Sequence, residues 1–212
     1  MHQLEGFGIV PVGFSTVINA LPGYKSGKDK VCALERSGKL LRLKKGLYVL
    51  PPTVSSAPLS RELIANHLYG PSCVSLESAL SYHGLISERV YTVRSVAPMR
   101  SKLFTNALGT FEYVSVPEDY FSIGVRSTVI DGKYSFLMAN QEKALCDLLM
   151  TTAGLRIQSK KAMMIWLEED LRLDWSADVS WDLETLDRCV EKGRKKRELR
   201  FLREALTTID HG

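Results

Sequence analysis

The sequence predicts an α+β chain in two parts, a small basic helix-and-hairpin module ahead of a larger mixed domain, and three observations carry that prediction. In SGKLLRLKKGLYVLPP, residues 37 to 52, Leu41 and Leu43 alternate with Arg42, Lys44-Lys45-Gly46 turns the chain, and Leu47 and Val49 resume the alternation on a returning strand. Asp131-Gly132 stands between VRSTVI and KYSFLMA, the strongest short hairpin signal in the chain. Between these lies a run of Pro and small polar residues from Pro51 to Pro58, which reads as a linker. With 212 residues, 45% of them hydrophobic and 25% charged, the chain can bury a core of its own.

Residues 1 to 58 form the first part. Residues 1 to 13 contain Gly6, Gly8, Pro11 and Gly13, which disfavour a first helix. Ser15 is placed to cap a short helix through Leu21, and Pro22-Gly23 ends it. Ser26-x-x-Asp29 resembles a capping box opening a helix through Arg36, which Gly38 stops. The hairpin follows at once. Helix, turn, helix and two-stranded wing is the layout of a winged helix-turn-helix. Lys25, Lys28 and Lys30 gather at the start of its second helix, where the helix dipole also attracts phosphate, and Arg42, Lys44 and Lys45 lie on the wing. Two neighbouring elements presenting cations point to promoter DNA. Lysine on an edge strand also serves simply to prevent unwanted pairing, so the wing alone decides nothing.

Residues 59 to 212 form the second part, with a mainly antiparallel sheet at about 86 to 139 and a helical portion at about 140 to 212. Ser60 caps RELIANHLY, and VSLESALSYHGL forms a second helix ending near Gly84. RVYTVRSVA, GTFEYVSV and YFSIGVRSTVI read as strands before the Asp131-Gly132 hairpin. Asn140 caps a helix through about Thr152, and further helices occupy roughly 159 to 171, 182 to 191 and 195 to 209.

The net charge of +4 is unevenly spread. Residues 1 to 58 hold eight Lys/Arg against three Asp/Glu, residues 166 to 187 hold eight acids and one base, and residues 188 to 203 hold eight bases and two acids. Such asymmetry reflects partners or contact between segments. Lys196, Arg200 and Arg203 form a basic row beside the apolar stripe Leu199, Leu202, Leu206 and Ile209, which reads as a solvated face, a clamp on the acidic stretch, or a contact for nucleic acid or a partner. Arg100 and Lys102, on a connection between strands, are a further contact candidate. No apolar stretch approaches the roughly 20 residues needed to span a bilayer, and no cationic segment leads into a signal core, so a cytoplasmic protein is expected. Cys32, Cys73, Cys146 and Cys189 are far apart in helix-like or apolar settings, which suits reduced core thiols.

Catalysis is the rival class. Ser75, Glu77 and His83 supply nucleophile, acid and base types, but Ser75 and His83 lie eight residues apart on one helix, roughly 12 Å along its axis. No nucleophile elbow, phosphate loop or paired dinucleotide glycines appears, and His67 and His83 suit hydrogen bonding at helix ends better than metal ligation. Glu142 and Lys143 diverge by about 100 degrees on a helix, which favours a structural helix start over a nuclease pair. Leu76, Ala79, Leu80 and His83 share a core face, leaving Glu77, Ser78 and Ser81 free for contact. No catalytic centre, metal or cofactor is expected.

SRELIANHLYGPSCVSLESALSYHGLISERVYTVRSV, RSKLFTNALGTFEYVSV and NQEKALCDLL resemble the central region of AbiEi-type antitoxins of bacterial abortive-infection systems, which act in phage defence. LERSGKLLRLKKGLYVLP resembles the winged segment of the same family, and together the stretches cover roughly residues 31 to 150 in family order. The resemblance implies a transcriptional regulator that represses its own operon through its first domain. It also implies a larger antitoxin domain that counteracts a toxin similar to nucleotidyltransferases. The family is classed as type IV, which implies opposition to the toxin's effect without a stable complex. A winged-helix repressor that senses a ligand or protein partner, with no toxin, is the alternative.

Overall fold

The computed structural model describes residues 2–21, 26–88, 90–175 and 180–209. It is mixed α+β with two sheets. The first 50 residues run α1 (His2–Glu5), β1 (Val12–Gly13), α2 (Phe14–Asn19), α3 (Gly27–Arg36), β2 (Leu41–Lys44) and β3 (Leu47–Val49). The glycines permit only a four-residue α1. α2 begins one residue before the Ser15 expected to cap it. Its entry is fixed instead by the Phe14 N–H, which donates to the Gly46 carbonyl at 2.9 Å, while Gly13 at the cap offers no side chain. α3 starts where the sequence indicates, with Ser26 Oγ accepting from the Asp29 N–H at 3.3 Å.

β1, β3 and β2 form an antiparallel sheet in that order. Its hairpin turns at Lys45-Gly46, where Gly46 adopts φ +80°, a conformation that a side chain would strain. Between Arg42 and Lys44 the register shifts, opposing Arg42 to Tyr48 but Lys44 to Leu47. This bulge interrupts the simple alternation and re-aims both Leu43 and Lys44. Leu4, Val12, Val17, Val31, Leu34, Leu40, Tyr48 and Leu50 pack into one apolar cluster, whereas Leu43, Val49 and Ile9 belong to the larger cluster of the remaining chain.

A helical turn, α4 (Pro52–Ser55), occupies part of the expected linker. α5 (Arg61–Leu68) is capped by Ser60, as expected, and β4 (Cys73–Val74) precedes α6 (Leu76–Tyr82). There follow β5 (Thr92–Ala97), β6 (Lys102–Asn106), β7 (Gly109–Ser115), α7 (Glu118–Phe121), β8 (Val125–Ile130) and β9 (Tyr134–Ala139). The stretch expected as one strand from Tyr120 therefore divides into a helical turn and β8, because Pro117 opens a turn and Gly124, at φ +63°, redirects the chain. At the β8–β9 turn, Asp131 and Gly132 both take positive φ, and the Lys133 N–H closes it on the Ile130 carbonyl at 3.0 Å.

The larger sheet runs β6-β7-β5-β4-β9-β8. Its outer pairs β6–β7 and β8–β9 and the pair β4–β5 are antiparallel, while β5–β7 and β4–β9 are parallel. Adjacent residues on β7 face opposite sides. Tyr113 donates its hydroxyl to the Ala65 carbonyl of α5 at 2.6 Å, and Glu112 receives Arg94, which also holds Glu77 of α6. The chain ends in α8 (Gln141–Thr151), α9 (Lys160–Ile165), a π-helical turn at Trp166–Asp170, α10 (Leu183–Lys192) and α11 (Lys196–Ile209). Among the described residues no helix is long and apolar enough to cross a membrane.

Candidate nucleic-acid interface

α3 buries Val31 and Leu34, so helical geometry turns Lys28, Asp29, Cys32, Ala33 and Arg36 outward. The hairpin exposes Arg42 and Lys45 beside that face, and Lys39 is exposed on the connection between them. Lys28, Arg42 and Lys45 border a groove of about 380 Å³ between α3 and the hairpin. Across it, Arg42 lies 3.9 Å from Glu35, a solvent-accessible pair of little energetic weight.

Of the residues picked from sequence, Lys28, Arg42 and Lys45 thus come together. Lys30 is half-buried, and Lys25 lies outside the described residues. Lys44 points elsewhere. Its Nζ donates to the Leu68 carbonyl at the end of α5 at 2.6 Å and sits 5.8 Å from the centre of the Phe104 ring. Burial, then the nearby Lys102 charge, lowers its pKa. Arg36 and Lys39 were missed, although the spacing of positions 28, 32 and 36 already places Arg36 on the Lys28 face.

Arg100 and Lys102 are exposed at the β6 edge. Lys102 Nζ lies 5.5 Å from the Tyr69 ring centre and 5.2 Å from that of Phe104, and Tyr69 donates its hydroxyl to the Arg100 carbonyl at 3.0 Å. On α11, Lys196 and Arg200 are exposed, while Arg203 pairs with Asp187 of α10 at 3.0 Å, a clamp onto the acidic stretch. Lys195, not singled out from sequence, donates to the carbonyls of Leu149, Thr152 and Leu155 at 3.0, 2.8 and 3.2 Å and so closes the C-terminal end of α8.

The polar residues weighed for catalysis fall into separate networks. Ser75 donates to Asp147 at 2.6 Å, and Lys143 meets the other oxygen of that carboxylate at 3.3 Å, both wholly buried. Lys143 Nζ also lies 4.2 Å from the Tyr120 ring centre. Glu77 is held by Arg94 at 2.6 Å, Ser78 accepts from the Arg94 N–H at 2.8 Å, and Ser81 donates to the Glu88 carbonyl at 3.4 Å. None of the three is free as expected: Glu77 and Ser78 are tied to β5, which passes alongside α6, and Ser81 to the connection that follows the helix. His83 contacts the Ala139 carbonyl at 2.8 Å and His67 the Leu63 carbonyl at 3.0 Å. All four thiols are unpaired, and Cys32, expected in a core, is exposed on α3 because it lies opposite Val31 and Leu34 on the helix wheel. Burial pushes the Cys73 and Cys146 thiols and the Tyr120 phenol up, while the hydrogen bond with Cys146 moves the buried Cys189 thiol down. Among the described residues no group of three or more His, Cys, Asp or Glu is arranged to hold a metal.

No protein-family model matches the chain, and no curated protein matches it.

Proposed function

We propose that the chain is a DNA-binding repressor that also serves as the antitoxin of an AbiEi-type toxin–antitoxin pair. Its first part is a winged helix-turn-helix that recognises the promoter of its own operon. The observation that carries this reading is the exposure of Lys28 and Arg36 on α3, Lys39 on the connection after it, and Arg42 and Lys45 on the hairpin beside it. The order α1-β1-α2-α3-β2-β3, with β1 and β2 flanking β3, supports the same reading. α3 would enter the major groove, and Arg42 and Lys45 would meet flanking phosphates.

The antitoxin half rests on the resemblance of the stretches quoted between residues 60 and 149, which supply α5, α6, β5 to β7 and most of α8. The toxin partner is nucleotidyltransferase-like, no stable complex is required, and the antitoxin acts in the cytoplasm without catalysis or a cofactor.

Electrophoretic shift of the chain's own upstream DNA, beside growth rescue from the toxin encoded by a neighbouring gene and driven by a separate promoter, tests both halves. Retarded DNA whose affinity falls steeply with salt, together with restored growth, is the expected result. Growth arrest that persists despite confirmed expression would refute the antitoxin half, and unshifted DNA at about 50 mM salt would refute the repressor half.

A further inference from the structure

We propose that the groove between α3 and the β2–β3 hairpin binds an amphipathic organic anion, an aromatic ring system carrying a carboxylate or sulfonate, and that this ligand and promoter DNA exclude each other. The exclusion rests on the DNA reading above; the site itself does not.

The groove measures about 380 Å³, within the range of small-molecule sites. Its floor is apolar: Val31 and Tyr48 are buried beneath it, and Phe14, half-buried, lines its side. Its rim is cationic, with exposed Lys28, Arg42 and Lys45, while its one acid, Glu35, lies against Arg42 at 3.9 Å. A phosphate backbone satisfies such a rim but has nothing apolar to place on the floor. A neutral hydrocarbon fills the floor but leaves the cations unanswered. A flat ring with an anionic head matches both, by burial below and charge-assisted hydrogen bonds above. The same three cations belong to the surface proposed to meet DNA, so one anion's contacts come at the other's expense.

The test uses the full chain and 1-anilinonaphthalene-8-sulfonate, whose fluorescence rises on binding, beside the uncharged N-phenyl-1-naphthylamine. Cys32 is exposed and lines the groove, so Cys32→Trp fills it without touching the core, and Arg42→Glu with Lys45→Glu reverses the rim. The parent should bind one sulfonate per chain, with affinity about tenfold or more above that of either variant and of the uncharged amine. Promoter duplex should displace it. Equal affinity of the parent and Cys32→Trp overturns the site, and equal affinity for the uncharged amine overturns the ligand class. Simultaneous binding of sulfonate and duplex overturns the exclusion. A chain that binds the sulfonate but never the promoter refutes the DNA reading, and the exclusion with it, while the anion site stands.

Discussion

Lys143 and Asp147 lie one helical turn apart on α8, fully buried, and Ser75 completes the carboxylate's hydrogen bonding from the start of α6. A buried ion pair adds little net stability, but removing one member strands the other charge in an apolar setting. Lys143→Met or Asp147→Leu alone should therefore cost about 3–5 kcal/mol. The double variant should recover much of that loss, and urea denaturation of all three variants checks it. Nearby, two carboxylates at the α8–α10 junction titrate in opposite directions. Burial raises the pKa of Glu142 above its ordinary 4.5, although its Oε1 accepts the Asp182 N–H at 2.9 Å. Hydrogen bonds from Thr185 hold Asp182 below its ordinary 3.8. A raised carboxylate favours the folded state at low pH and loses that contribution as pH climbs through the folded value, whereas a depressed one contributes above its unfolded value and loses it on acidification. Relative to the parent, Glu142→Gln should thus become progressively more stable as pH rises above 4.5, and Asp182→Asn should close its deficit as pH falls below 3.8. Melting temperatures of parent and variants across pH 3 to 7 would show the two slopes or their absence.

Adjacent lysines at the hairpin tip separate two jobs within one element. Lys45 is exposed beside the groove, and Lys44 is bonded to the last carbonyl of α5. On the DNA reading, Lys45→Ala should lower the salt dependence of promoter binding by about 0.9, one phosphate contact, with unchanged melting. Lys44→Met should cost about 1–3 kcal/mol of stability. Filter binding at several salt concentrations and thermal denaturation separate them; the reverse assignment would show that the bulge does not hold Lys44 inward in solution. A sequence reading could not divide this pair, because strict alternation puts Lys44 beside Arg42 on the solvent side and only the bulge re-aims it. The capped helices were legible, since Ser26, Ser60, Asn140 and Asp182 each accept from the backbone N–H three residues on. β6 was not, because as an edge strand with Lys102, Leu103 and Thr105 exposed it carries no buried alternation.

Across the whole molecule, the Pro-rich run looked like a boundary, yet the hairpin ahead of it is built into the larger core. Leu43 and Val49 join that cluster, the Leu43 carbonyl accepts from Asn106 at 3.2 Å, and a β-carbon at Gly8 would collide with the Tyr134 hydroxyl. Cutting an inserted protease site between Ser55 and Ser56 should therefore leave both pieces eluting together on gel filtration without denaturant. Separate elution would show the first 55 residues to be an independent unit. Contacts of this kind join residues far apart in sequence, as do Ser75 and Asp147, so local periodicity holds no trace of them. The same limit hid the parallel pairings: β4 is two residues long, too short to announce itself, and yet it joins the halves of the six-stranded sheet.

That short strand makes a mechanical seam. β4 meets β9 at the single register pair Val74 and Met138, and the neighbouring Leu137 completes its hydrogen bonding with the side-chain amide of Asn66, which stands in for strand backbone that is not there. Across β8–β9 and β5–β7 the ladders are six residues deep. Under a pulling load the sheet should part between β4 and β9 before either ladder yields, releasing residues 125 to 139 as one flap. In quiet solution the same seam would appear as a block of amides across that flap exchanging with deuterium together and ahead of those on β5 and β7.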